Sequence, residues 1–318
     1  YEESGRQFLR DLYRRISDDP AMTALTVSEA LEKVQPDELD HIFPGSWINA
    51  NFDVWIGADE DNTAWDYLLR ARKAYDRFME KPDHAVSEAR RKIAYEELMI
   101  AEGSDWCWWY GPEHDSANRP DFDQLFRDHL ANVYVALNLA PPEELSRPIL
   151  KVAVSAFHQI PTGPIRATID GEVTSYFEWL GAGVYKVDRR SGAMHGGRYI
   201  VEQLQYGSDG QNLFVRLDFA ENVASDLDGA EVRVNLQSVA DPTANQSYTV
   251  ALARSRNGVE AAYRRIFELR IPLSAVRIQV GQVVRFQLSL WQAGLPMDAL
   301  PPQGWIEFST ADPMDWVL

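Results

Sequence analysis

The sequence predicts an α + β protein with its two classes in separate domains: a helical, bundle-like segment over 1–147, then an antiparallel β-sandwich over 148–318. Three observations lead there. Apolar residues recur at helical spacing through most of the first half. Pro141, Pro142 and Pro148 punctuate the chain where that spacing stops. Beyond them the period shortens to two, and glycines and Asx residues separate short β-rich runs, which suits an antiparallel sandwich better than repeated βαβ units.

Each element follows from local pattern. Phe8, Leu9, Leu12 and Ile16 predict a first helix closed by Pro20. A second, short helix is expected near Thr26–Glu29, with Ser28 as its cap. Residues 42–57 break the periodicity with a Pro-Gly turn, small polar residues and two tryptophans, and read as an ordered loop. Helix returns over Glu60–Glu80, with Asp59 or Asp61 as N-cap, Trp65, Leu68, Leu69, Tyr75 and Phe78 among its face residues, and Pro82-Asp83 as its stop. Another helix is expected over Ala85–Ala101 with Ala89, Ile93, Leu98 and Ile100 inward, and a last one over Asp121–Leu139 with Phe122, Leu125, Phe126, Leu130, Val133, Tyr134 and Leu137 inward. Candidate strands are Ala167–Ile169, Tyr199–Tyr206, Leu213–Phe219, Glu231–Leu236, Tyr248–Ala253, Ile266–Ile271, Val283–Trp291 and Trp305–Phe308. No low-complexity linker separates the halves, so close docking is expected.

Composition narrows the function classes. The net charge is −17, which excludes a basic nucleic-acid groove. Residues 1–147 carry 16 Lys and Arg against 30 Asp and Glu, so the acidity lies mainly in the helical half. Either a solvated helical surface or carboxylates around a neutral-sugar site accounts for it. No window approaches eighteen apolar residues, so a soluble chain without a membrane partner is expected, a cytoplasmic one slightly favoured. The charged N-terminus is unlike a signal peptide, although a chain opening on Tyr1 rather than Met says little about export. Cys107, alone of its kind, rules out an internal disulfide and reads as a small buried hydrophobe.

The most specific local signal is AEGSDWCWWYG at 101–111. Its rings can stack on the C–H face of a sugar while Glu102, Ser104 or Asp105 bonds the hydroxyls. The alternative is an aromatic core beneath a loop, though each buried indole N–H then needs a partner. A second cluster surrounds Gly45, Trp47, Asn49 and Asn51, with His41 just before it. His114, Asp115 and Glu113 lack the spacing of a zinc site, and the Asp59–Asp61 run lacks that of a calcium loop, so neither metal nor cofactor is expected. No carboxyl pair for glycosidic cleavage stands out. Glu102 and Asp105, three apart, would be the internal candidates if one helix carried both, with substrate positioning their stronger role. In the second half Phe177, Trp179, Gly181, Gly183, Tyr185, His195 and Gly196 can cover a sheet edge or form a small sugar surface. Trp291, Trp305 and Trp316 read as core or interface, and Asp209, Asp226 and Asp228 as turn residues.

These motifs carry a resemblance. PGSWINANFDVWIG at 44–57, ADEDNTAWDYLLRAR at 58–72 and AEGSDWCWWYG at 101–111 resemble the substrate-side region of glycoside hydrolase family 57, which includes α-amylases, amylopullulanases, glucanotransferases and branching enzymes. The opening YEESGRQFLRDLYRRI resembles the helix after that family's catalytic-aspartate motif. More loosely, WLGAGVY at 179–185, GAMHGG at 192–197, YGSDGQNLFVRLDF at 206–219 and FELRIPL at 267–273 resemble the accessory β-sandwich of some members.

The resemblance implies retaining chemistry on α-glucans in an incomplete (β/α) barrel, with a glutamate nucleophile and an aspartate acid/base. Both belong to motifs expected before Tyr1, so no catalytic residue carries over and the chain alone is expected to be inactive. The missing barrel would come from the same parent protein or from a separate chain. Trp47 and Asn51 would belong to one loop facing an α-glucan substrate; Asp105, Trp106, Trp108 and Trp109 would belong to another. A stand-alone carbohydrate-binding or structural module, binding glucan through exposed sandwich tryptophans, is the competing expectation. An unrelated enzyme using Glu102 and Asp105 is a third, and requires both carboxyls in a closed cleft.

Overall fold

The computed structural model describes residues 2–81, 86–151, 156–187, 200–223, 227–252 and 258–310, with the side chains of Glu2 and Glu3 left aside. Pro82, Asp83, Ala85, His195, Gly196, Tyr199, Asp226, Ala253 and Trp316 therefore lie outside the described residues, as does the whole 192–197 motif. The chain forms two compact units, Tyr1–Asn51 and Phe52–Leu318.

In the first unit, α1 spans Arg6–Asp18 and α2 spans Val27–Lys33. The cap of α2 is Thr26 rather than Ser28. Its hydroxyl accepts from the Glu29 N–H while the Glu29 carboxylate accepts from the Thr26 N–H at 2.8 Å, a reciprocal box that satisfies two orphan donors. The amphipathic pattern of α1 is present, yet Phe8 is 56% exposed and no described residue of this unit is buried. The loop after it closes on itself, the Ser46 N–H donating to the Asn51 carbonyl at 3.0 Å. A Cβ on Gly45 would lie 2.4 Å from the Ala50 carbonyl oxygen, so only glycine fits that path.

The second unit begins with three helices, α3 (Asp59–Met79), α4 (Glu88–Ala101) and α5 (Arg119–Ala136). Ala58 precedes α3 as its N-cap without a side-chain bond. Asp59, Glu60 and Asp61 occupy the first turn instead, where a carboxylate suits the helix dipole. Ala64, Leu68 and Ala71 face Ala94, Leu98 and Ala101 and the Phe126, Leu130 and Val133 side of α5 in one core. Ala89, Ile93 and Ile100 of α4 point outward, opposite to expectation, because the small alanines supply the contact face and let the helices approach closely. Trp65, Leu69 and Leu125 are likewise exposed.

Chain class changes between Ser146 and Ala156. Eleven strands follow among the described residues: β1 (Ala156–Gln159), β2 (Gly183–Val187), β3 (Val201–Ser208), β4 (Asn212–Phe219), β5 (Glu231–Ser238), β6 (Asn245–Ala251), β7 (Glu260–Tyr263), β8 (Phe267–Pro272), β9 (Val283–Gln292), β10 (Leu295–Leu300) and β11 (Ile306–Ser309). One antiparallel sheet runs β1-β2-β3-β4-β8-β7; the other runs β10-β9-β5-β6, with β11 also on β9. Val232, Val234 and Leu236 of β5 alternate inward and meet Leu204, Val215 and Leu269 of the facing sheet in a sandwich core. Residues 167–169 are not a strand. Ile165 and Ala167 instead join Trp179 and Phe214 in a small cluster of their own.

Trp291 ties the sandwich to the helices. It is fully buried in the helical core although it lies on β9. Its indole N–H donates to Ser289 Oγ at 2.7 Å, Ser289 donates to Glu143 Oε1 at 2.6 Å, and the Arg233 guanidinium sits 3.8 Å from its ring. The helical core of the second unit and the sandwich are therefore docked on one another. Trp305 differs, being 36% exposed beside Arg285. Trp291→Ala is expected to cost ~3–5 kcal/mol through the cavity it leaves, and urea unfolding followed by circular dichroism should show helix and sheet lost at one lowered midpoint.

Candidate functional site

The aromatic motif forms where α4 stops. Glu102 caps the helix and Gly103 turns away from it, its N–H on the Ile100 carbonyl at 3.1 Å. Glu102 and Asp105 consequently do not share a helix face. Glu102 is drawn to Arg72 at 2.9 Å, and Asp105 is exposed. Neither has the enclosure that paired-carboxyl catalysis needs.

The tryptophans divide by role. Trp106 donates its indole N–H to the Ile100 carbonyl at 2.8 Å and lies against Phe126 and His129 with centroids 5.8 and 5.7 Å away, so it is a packing residue. Trp109 stacks on Phe122 at 5.0 Å. Trp108 stacks on His114 at 3.8 Å and tilts against Trp55 at 5.9 Å, while Trp65 donates to the Trp55 carbonyl at 2.7 Å. Trp55, Trp108 and His114 are all half-buried, as are Trp106 and Trp109. Cys107, between them in sequence, is buried; burial foremost, then Asp61, pushes its thiol up to about 12, which removes it as a nucleophile.

Two networks, one buried and one partly buried, hold this loop. Asp123, on the first turns of α5, accepts from Tyr110 Oη at 3.1 Å, Arg127 Nε at 2.9 Å and the Ile149 N–H at 2.9 Å. Arg127 also donates to the Leu145 carbonyl at 2.8 Å. Burial, with Asp123 adding to it, pushes the Tyr110 phenol well above its usual range, so it stays a donor. In the second network Arg119 donates to the Trp109 and Gly111 carbonyls at 2.7 and 3.0 Å. Glu60 accepts from Arg119 and the Gly111 N–H, both at 2.9 Å, and from the Lys151 N–H at 2.7 Å. Sequence reading missed Glu60, Arg119, Asp123 and Arg127. The spacing of Asp123 and Arg127, four apart on a helix, was the one available signal.

In the first unit Trp47 is 83% exposed and Asn51 is half-buried. On the sandwich Tyr176 and Phe177 are exposed and meet edge-on at 5.7 Å, whereas Trp179 and Tyr185 are buried. The Asp170–Trp179 loop is anchored on Glu268, fully buried, which accepts from the Asp170 and Gly171 N–H groups and the Trp179 indole. Asp209 serves as a turn residue, accepting from the Gln211 and Asn212 N–H groups. Among the described residues no group of His, Cys, Asp and Glu is arranged to hold a metal ion, and no helix is long and apolar enough to cross a membrane. No protein-family model and no curated protein matches the chain.

Asp123→Ala strands a buried guanidinium and is expected to cost ~3–5 kcal/mol in a chemical-denaturation curve. Glu102→Ala, which breaks a solvent-exposed pair, should leave the midpoint in place.

Proposed function

We propose that this chain is the substrate-binding and structural C-terminal portion of a retaining α-glucan hydrolase or glucanotransferase, of the kind found in glycoside hydrolase family 57. In this reading a catalytic barrel, from the same parent protein or a separate chain, supplies the nucleophile and the acid/base, and the helical segment completes its cleft. The observation that carries it is the half-buried stack of Trp108, His114 and Trp55, with the exposed Asp105 three residues before Trp108 in the chain. Half-buried rings fixed against one another offer stacking to an apolar sugar face, and a solvent-facing carboxylate accepts hydroxyl hydrogen bonds. In this reading Trp106 and Trp109, which pack on Phe126 and Phe122, and Glu102, which pairs with Arg72, hold the loop that carries the stack. The same kind of contact is proposed separately for Trp47 and Asn51 in the first unit.

A covering body is supported by the apolar surface these residues leave in water. In the second unit Trp65 and Leu69 of α3 and Ile93 and Ile100 of α4 are exposed, apolar side chains that a covering body would bury; Phe8 and Leu12 are exposed separately in the first unit.

The second reading, a stand-alone carbohydrate-binding module, is favoured by Tyr176 and Phe177. Of the sandwich tryptophans, Trp305 is exposed and fits that role, whereas Trp179 and Trp291 are buried.

Titration of the full chain with maltoheptaose, followed by indole fluorescence, separates the two. The proposal expects Trp108→Ala to weaken binding about tenfold or more, with Tyr176→Ala and Phe177→Ala near the parent affinity. The reverse pattern would favour the module.

A further inference from the structure

We propose that Asp61 is a proton-dependent positioning residue for the aromatic loop: as a neutral carboxylic acid it seats the Trp106–Gly111 turn, and on ionisation it loosens it. Asp61 lies in the first turn of α3, is fully buried, and has no hydrogen-bond partner on either carboxyl oxygen. The nearby Ala58 N–H, which favours the charged form, lies outside hydrogen-bond geometry.

The aromatic loop ends directly against this carboxyl. Gly111 has φ +79°, and a Cβ there would sit 2.8 Å from Glu113 Oε2 and 3.3 Å from Asp61 Oδ2. On its other side the Gly111 N–H is held by Glu60. The charged groups facing Asp61 are thus Glu60 on α3, Glu113 on the following loop and Arg119 at the start of α5, with the Cys107 thiol on the aromatic loop itself. Arg119 is already engaged with Glu60 and two carbonyls. A carboxylate at position 61 would be a buried anion beside two others, with the one nearby cation committed elsewhere, whereas the neutral acid carries no such penalty.

Burial foremost, with Glu113 and Glu60 adding to it, raises the Asp61 carboxyl from 3.8 to about 6. The folded chain therefore binds this proton more tightly than the unfolded one. The stabilisation is fully present below about pH 4 and is lost as pH rises through about 6. Asp128 and Glu268 are also raised by burial and contribute in the same direction, so the comparison with a variant isolates Asp61.

The test is urea unfolding of the full chain at pH 5 and pH 7.5, with indole fluorescence as the probe, for the parent chain, Asp61→Asn and Glu113→Gln. The parent unfolding constant should rise roughly tenfold more over this range than that of Asp61→Asn, whose side chain cannot ionise. In Glu113→Gln a neighbouring charge that disfavours ionisation of Asp61 is removed, so the midpoint of the pH profile should shift to lower pH than in the parent. That variant keeps the test decisive if Asp61→Asn does not fold. Equal slopes for parent and Asp61→Asn, or an unmoved midpoint in Glu113→Gln, overturn the proposal. The consequence for sugar rests on the function proposed above: maltoheptaose affinity should fall over the same range. A pH-dependent stability with pH-independent affinity upholds the seating role and counts against the glucan reading instead.

Discussion

The second unit is organised around one buried ion pair, Asp123 with Arg127. Side-chain exposures of 2% and 3% place both charges out of water, so their desolvation has to be met by geometry. It is met on every side. Tyr110 brings in the aromatic loop, Ile149 the chain leaving for the sandwich, and Leu145 the short turn between them. Two stretches of chain, at 110 and at 145–149, thereby converge on one turn of α5. Such a network is costly when incomplete and specifying when complete, which ties the position of the aromatic loop to the docking of the two layers.

Trp291 and Glu143 extend the same constraint into the sandwich. The chain from Ser289 to Glu143 runs across the junction, and Arg233 covers the indole while donating to the Pro141 carbonyl at 3.1 Å. Together these contacts make helices and sandwich a single body on which Trp108 and His114 are carried rigidly. The Tyr1–Asn51 unit is built differently. Its helices are well formed locally, α2 by a complete capping box, but they bury nothing among their described residues. Local capping of that kind makes a helix without making a core.

Much of this was legible in the sequence. Helix existence and class followed from periodicity, and the change of class from its prolines. What escaped has physical reasons. The inward face of α4 is made of Ala94, Leu98 and Ala101, and alanine is too weakly hydrophobic to outvote Ile93 and Ile100 in a pattern. The strands β1, β7 and β10 carry His158, Glu260, Pro296 and Asp298, which mask a β signal that edge pairing tolerates. At the candidate site the four aromatics stood out, but their packing partners include Phe122, Phe126 and His114, which only the tertiary fold brings near. Asp61 reads in the sequence as a cap candidate and Glu60 as part of an acidic run at a helix start, and nothing local marks Asp61 or Asp123 as buried, because burial of a charge is decided by partners distant in sequence.

The central claim is that this chain contributes sugar contacts to an assembly whose catalytic carboxyls lie elsewhere. The most direct measurement is the mass of purified, glucan-active material under native and denaturing conditions, with activity on starch or pullulan taken from the same fraction. The account predicts that activity travels with additional polypeptide, as a longer parent chain or a second subunit. Full activity in a monomer of 36.1 kDa would contradict it.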